Sequence, residues 1–456
     1  MHIPFPDREL RQKIYVILLP IALQNLLMNV DVVIDSVMLG QISQSALASV
    51  SLAGQVQFIY GMLMGSFAGG VAIFMSQYWG RRDTRTIEKL LGQTIQISMA
   101  ISAVFFLLTF FFPRQSMRIF TDVPEFLELG SGYLRILAIS YFLLALNTAL
   151  STSCRSTGHT RELFLISLVT VPLDILFNYL FIYGVRGHFA FGVPGAATAT
   201  VLVRLLSLGM IWWEFRREGL FRIRWFYLRN FSGSLFRYVA KYIWPIFGNC
   251  VCYGIGITVA SIVIGHQTPD AVAANSVLRL IAGAASIFFI GTYSGVSIIV
   301  GNLLGAGKLA EAKRADQQLF TVSVLGGCLS SLVLLLAIPC VHWFAKLTPE
   351  ATQLARWMLV LFVPSMLAKS CNSLFFASFN TGGESRISFR LDLTMTIGII
   401  VPAGLLLGLV VRAPILLVFF VVYADEILKA PAALWFYRKY TWVRDLTACR
   451  KNRTNV

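Results

Sequence analysis

Two aspartates, Asp31 and Asp35, sit four residues apart inside the apolar stretch LQNLLMNVDVVIDSVMLG, Leu23 to Gly40. A charged side chain at a bilayer centre costs at least about 2.5–3.5 kcal/mol unless it is paired, and lost hydration favours the neutral form of a carboxyl group. A carboxylate held there can take a proton or a Na⁺ from one side of a membrane and release it to the other. Gln24, Met28, Asp31 and Asp35 follow at intervals of four, three and four, so a helix carries them on one stripe, and Val30, Val32, Val33 and Ile34 cover its other faces. Ser167, Thr170, Asp174 and Asn178 form a second stripe, and Thr200, Arg204 and Ser207 a third. Three polar stripes on apolar helices predict one shared interior. Counted from the outer helix ends at ~1.5 Å per residue, Asp35 lies roughly 6 Å deep, Asn178 about 9 Å, Thr200 about 10 Å and Asp174 about 15 Å, level enough to converge. Pro20 and Pro172 can kink their helices and free carbonyls for an ion. Arg135 and Arg204, at similar depth, are the partners that would instead lock the acids into ion pairs.

The elements that must hold these groups are transmembrane helices. Of 456 residues, 57% are hydrophobic and 13% charged, too little polar surface for a soluble chain of this length. The formal charge of +16 does not read as a nucleic-acid footprint, because Lys and Arg fall in short gaps between apolar runs and form no folded patch. Seven cysteines lie scattered through apolar segments without a C-x-x-C, as small buried hydrophobes do. The opening MHIPFPDRELRQK lacks the apolar core and cleavage site of a secretory signal, so the first span is expected to be retained.

A bilayer core of ~30 Å needs about 20 apolar residues as helix. Twelve such spans are expected, at 13–39, 45–78, 86–112, 126–151, 163–184, 193–216, 237–265, 270–302, 315–345, 350–378, 388–410 and 413–438. Basic residues crowd alternate connections, including Arg81, Arg82 and Arg85, then Arg155 and Arg161, then Lys308, Lys313 and Arg314, whereas the others hold only Arg114, Arg118, Arg186, Lys346 and Arg412. The positive-inside rule then puts both termini in the cytoplasm, which requires an even number of spans. Residues 1–215 are expected to form an N-terminal six-helix bundle and 242–440 a C-terminal one, joined by a basic, aromatic-laced amphipathic cytoplasmic linker at 216–241 and followed by a cytoplasmic tail at 441–456.

The chain repeats itself. A shift of 225 residues lays Pro20 on Pro245, Gly40 on Gly265, Gly80 on Gly305, Asn147 on Asn372, Gly158 on Gly383 and Arg161 on Arg386. Duplicated six-span halves mark transporters, with a pseudo-twofold axis along the membrane normal. In this register Asp31 meets Gly256, Asp35 meets Ala260 and Asp174 meets Ile399, so these acids belong to the N-terminal half alone. In the C-terminal half, Arg279 and Lys369 are expected to pair structurally with a residue such as Asp392, and Asp425, Glu426 and Lys429 to tie the last helix to its neighbours. No histidine sits mid-span, so a histidine proton relay is not expected. GNLLGAGKL, Gly301 to Leu309, lacks the glycine spacing and following Ser or Thr of a phosphate loop, so a gradient is expected to drive transport.

The stretches LPIALQNLLMNVDVVIDSVMLG, ALASVSLAG, RSTGHTR, NTGGESR, FNYLFIYG, GVPGAATAT and WVRDLT, in this order, resemble the multidrug and toxic compound extrusion (MATE) family across essentially all twelve spans. The resemblance implies an all-α polytopic fold of two pseudo-twofold related six-helix bundles in a V, exporting cationic, amphipathic compounds in exchange for H⁺ or Na⁺. It also implies a coupling role for Asp35, in a D-[ST]-x-x-x-G setting, and for Asp174, Asn178 and Thr200, with the fifth-span Asp and Asn in swapped order and a transient Na⁺ conceivable at Asp35, Asp174 and Asn178. The spans that carry acids in another branch of the family carry none here, which places coupling in the N-terminal half.

Under this reading Gln24, Met28, Asp31, Asn147, Arg279 and Tyr293 are candidates for contact with cargo, through thioether, aromatic and charge complementarity. The expected partners are small cationic amphipathic molecules and the lipid bilayer, with no nucleic acid, no cofactor beyond the coupling ion, no structural metal, and a monomer in the bacterial inner membrane. A flippase of a lipid-linked precursor is the alternative, since Arg279 and Lys369 could grasp phosphate. An enzyme is not expected, because no catalytic dyad or metal set such as H-E-x-x-H is present.

Overall fold

A computed structural model describes residues 5–184, 191–217, 227, 230–343 and 347–448. Arg186, Lys346, most of the expected linker (218–226, 228 and 229) and positions 449–456 of the expected tail lie outside the described residues. Among the described residues every regular element is helical.

In chain order these are α1 (Arg8–Ile42), α2 (Ser45–Gly80), α3 (Thr84–Phe111), α4 (Pro113–Arg118), α5 (Pro124–Leu137), α6 (Ser140–Ser156), α7 (Thr160–Tyr183) and α8 (Val193–Arg217). There follow α9 (Gly233–Gly265), α10 (Pro269–Ala285), α11 (Ile287–Gly305), α12 (Leu309–Ala337), α13 (Pro349–Thr381), α14 (Ser385–Val410), α15 (Ile415–Tyr423) and α16 (Asp425–Arg438). Ten of them are long and apolar enough to cross a bilayer, and α5 with α6, bent by 49° at a short break, supplies an eleventh. The expected span 413–438 is divided into α15 and α16 at Ala424, where Asp425 and Glu426 open a new first turn whose free N–H groups favour acids. The expected span 270–302 likewise divides into α10 and α11 at Ser286.

Local chemistry sets the boundaries. Asp83 begins α3 by accepting from the Thr86 N–H at 3.0 Å, and Thr268 and Thr348 cap the proline-led starts of α10 and α13. The repeat is written into the backbone as well. Gly158 and Gly383 both end a helix with positive φ, at 92° and 84°, a conformation that costs a Cβ-bearing residue energy.

Two compact units divide the chain: one holds Leu23–Met75 and Asp83–Arg237, the other Met1–Ala22, Ser76–Arg82 and Tyr238–Val456. In the first, Met38, Leu39, Ala53, Leu134, Leu137 and Ala197 share a buried core, and the Tyr60 ring meets Phe105 edge-on and Tyr141 at a tilt beside a hydrogen bond from Tyr60 to the Tyr141 carbonyl. In the second, Tyr437, Trp442, Phe375 and Phe379 are buried together, and the wholly buried Asp316 accepts from Ser378 at 2.7 Å and from Tyr437 at 2.5 Å. Matching hydrogen bonds recur in the two units: Gln24 donates to Ser167 across 143 positions, and Asn249 donates to Asp392 across the same 143. Both pairs stand in the 225-residue register.

Candidate functional site

The first unit encloses a cavity of about 600 Å³ among α1, α2, α5, α6, α7 and α8. Gln24, Met28, Asp31 and Asp35 reach it from one face of α1, as their four-three-four spacing requires. Ser167, Thr170, Asp174 and Asn178 reach it from α7, all buried, and Thr200, Arg204 and Ser207 from α8. Asn147 lines it from α6.

The carboxylates of Asp31, Asp35 and Asp174 converge there, each offering one oxygen within 4.8 Å of the other two. Asn178 donates from Nδ2 to Asp35 Oδ1 at 2.7 Å. Three buried oxygens, Asp31 Oδ1, Asp174 Oδ1 and Asn178 Oδ1, have no hydrogen-bond partner. Among the described residues neither arginine at this depth forms an ion pair with the acids, although Arg204 remains near enough to act on Asp174 through space. Arg204 donates to Ser140 Oγ at 2.5 Å, and the Arg135 guanidinium lies over the Phe110 ring at 5.2 Å. Buried carboxylate oxygens without donors beside an open volume have the chemistry to attract a small cation.

At the other end of the cavity Gln24 bridges two elements. Its Nε2 donates to Ser167 Oγ at 2.9 Å, and its Oε1 accepts from Arg155 Nη2 at 3.1 Å. Asn147 Nδ2 donates to Ser207 Oγ at 2.9 Å, and Thr200 returns its hydroxyl to the Ala196 carbonyl of its own helix at 3.1 Å. Met28 is exposed within the cavity wall. Arg279 and Tyr293 lie in the second unit and do not line this cavity: Arg279 donates to Ser261 Oγ at 3.2 Å, and Tyr293 Oη accepts from Asn380 at 3.0 Å.

The expected pairing of Arg279 or Lys369 with Asp392 does not occur. Lys429 takes that place, its Nζ 2.6 Å from Asp392 Oδ1 and 2.6 Å from Asp425 Oδ2, while Lys369 Nζ reaches Tyr253 Oη at 3.5 Å. Lys429 is almost wholly buried and so needs both counter-charges. Thr396 donates to Asp425, and Asn372 donates to Glu426, so the Asp425, Glu426 and Lys429 group joins α16 to α14 and α13.

Arg155 and Tyr133 are cavity-region residues that sequence reasoning passed over. Arg155 was counted among connection charges, yet Asn147, Ser151 and Arg155 recur every four residues, and Ser151 donates to Asn147 Oδ1 at 3.2 Å. That spacing was the available signal. Tyr133 gave none beyond being an aromatic on an amphipathic helix.

Repeated halves, ten or eleven bilayer-length helices and an interior polar cavity together define a multi-pass membrane transporter. A family model described as MatE matches residues 20–180 and 245–406, well over half of the chain. The chain belongs to this family, the MATE multidrug efflux transporters, and the two matched segments begin 225 residues apart, in the register of the internal repeat. It is similar to the uncharacterized transporter YisQ of Bacillus subtilis (strain 168), 20% identical over 417 residues that cover 90% of each chain. It is also similar to the multidrug resistance protein PmpM of Pseudomonas aeruginosa, 22% identical over 394 residues, covering 82% of this chain and 79% of that one. Among solved structures, a variant of the Vibrio cholerae MATE transporter VcmN shares the fold with a TM-score of 0.87 at 18% identity, over 96% of this chain and 98% of that chain.

Proposed function

We propose that this transporter is a secondary antiporter of the bacterial inner membrane, with both termini cytoplasmic, that exports cationic, amphipathic compounds in exchange for H⁺ or Na⁺. The observation that carries the reading is the convergence of Asp31, Asp35 and Asp174 within 4.8 Å on one cavity, with no arginine paired to them among the described residues. Asp35, Asp174, Asn178 and Thr200 are the coupling group, and Gln24, Met28, Asp31 and Asn147 the nearest contacts for cargo. Neutralising the cluster with the coupling ion removes its attraction for a cationic substrate, and a substrate that prefers the ion-free state shifts the population back. A cluster of three carboxylates repels phosphate, which disfavours the lipid-precursor alternative.

Purified protein in proteoliposomes, loaded with a cationic dye and given pH and Na⁺ gradients separately, tests this. Export should follow one of the two gradients and should stop in Asp35→Asn, with the variant still folded in the membrane. Dye export by Asp35→Asn at the wild-type rate would refute it.

A further inference from the structure

The cluster carries more negative charge than one monovalent cation neutralises. Asp31, Asp35 and Asp174 supply three carboxylates against the single guanidinium charge of Arg204 in the same cavity, which leaves two negative charges when all three are ionised. A second observation concerns Asn178. It is 2% exposed and lines the same cavity; its Nδ2 is committed to Asp35, and its Oδ1 is buried without a partner. The clustered donors are three anionic oxygens, and the free amide oxygen of Asn178 belongs to the same cavity, with no nitrogen or sulfur in the cluster. Such a set suits hard cations.

The number of protein oxygens selects among these. Around a Ca²⁺ with oxygens at 2.3–2.6 Å, opposite ligands stand about 4.6–5.2 Å apart and adjacent ones about 3.3–3.7 Å apart. Carboxylate oxygens within 4.8 Å of one another are close enough to share one such ion. Mg²⁺ dehydrates reluctantly and is usually held by one or two carboxylates with several waters kept, not by a set of protein oxygens alone. We infer that Asp31, Asp35, Asp174 and Asn178 form a divalent-cation site that takes a Ca²⁺-sized ion. Asp31 makes the difference: with the Arg204 charge counted, three carboxylates leave two negative charges for a divalent ion, whereas without Asp31 one monovalent ion suffices. This inference rests on the cation seat proposed above and goes beyond it: a divalent ion on these oxygens excludes the coupling ion, so Ca²⁺ competes with H⁺ or Na⁺ for the transporter.

Equilibrium binding of ⁴⁵Ca²⁺ to the full chain in nanodiscs of neutral lipid tests the site, with Mg²⁺ and Na⁺ as competitors. Wild-type protein should bind Ca²⁺ saturably, with Mg²⁺ a weak competitor and Na⁺ a competitive one. Asp31→Asn and Asn178→Ala should each weaken binding at least about tenfold, and Asp31→Glu should retain most of it. Gel filtration confirms that each variant is folded; if Asp31→Asn aggregates, Asn178→Ala carries the same test. Absence of saturable Ca²⁺ binding by wild type, or wild-type affinity in a folded Asp31→Asn or Asn178→Ala, overturns the inference. Ion-coupled dye export without Ca²⁺ binding defeats this inference alone, whereas Ca²⁺ binding without ion-coupled export defeats the coupling reading alone.

Discussion

Asn178 Nδ2 donates to Asp35 Oδ1 across 2.7 Å and so joins α7 to α1 at the acidic cluster. A hydrogen bond to a charged group contributes about 1.5–3 kcal/mol. Asn178→Ala removes it together with the free Oδ1, and the apparent affinity for the coupling ion should fall about tenfold or more. The Na⁺ or pH dependence of dye export in proteoliposomes measures this, and an unchanged half-saturation point would contradict it.

Gln24 is a connector with two obligations. Gln24→Leu leaves Ser167 Oγ without its amide donor and Arg155 Nη2 without its acceptor. Each buried group so stranded costs about 1–3 kcal/mol, so the variant should melt at lower temperature in detergent than wild type. Gln24→Glu keeps the acceptor for Arg155 and should fall between the two.

In the second unit Lys429 faces Asp392 and Asp425 together. Lys429→Met strands two buried acids, and removal of one partner of a buried ion pair costs about 3–5 kcal/mol. The triple variant Lys429→Met, Asp392→Asn, Asp425→Asn should recover most of the lost thermal stability. Failure of that recovery would mean the cluster matters for more than charge balance.

Tyr437 and Ser378 both donate to Asp316. Tyr437→Phe keeps the ring packing and deletes one donor, so destabilisation of about 1–3 kcal/mol is expected. Thermal unfolding of the purified variant reads this directly, and a Tm equal to wild type would show the hydroxyl to be dispensable.

Gly158 and Gly383 occupy the same place in the two halves, yet they should differ in tolerance. A Cβ on Gly158 meets open space, so Gly158→Ala bears only the left-handed backbone cost of roughly 1–2 kcal/mol. A Cβ on Gly383 also runs into Leu446 and Tyr242. Gly383→Ala should therefore be the less stable of the two in a thermal melt.

The helices, the number of spans to within one or two among the described residues, and the duplication were legible in the residue order, because bilayer thickness sets span length and polar stripes show at helical spacing. The four-three-four run Gln24, Met28, Asp31, Asp35 fixed which face of α1 turns inward. Breaks at Ala424 and Ser286 were less visible, since both lie within otherwise apolar runs. Sequence could not choose among partners for buried charges. Asp35 and Asp174 had Arg135 and Arg204 at similar depth, Asp392 had Arg279 and Lys369, and the choice depends on side-chain geometry of a few ångströms. Packing alone sent Arg204 to Ser140, gave Asp392 to Lys429 instead of Lys369, drew Arg155 in from a presumed connection to Gln24, and left Asp31, Asp35 and Asp174 facing one another. Apolar patterning is a property of neighbours along the chain, whereas the pairing of charges is a property of neighbours in space.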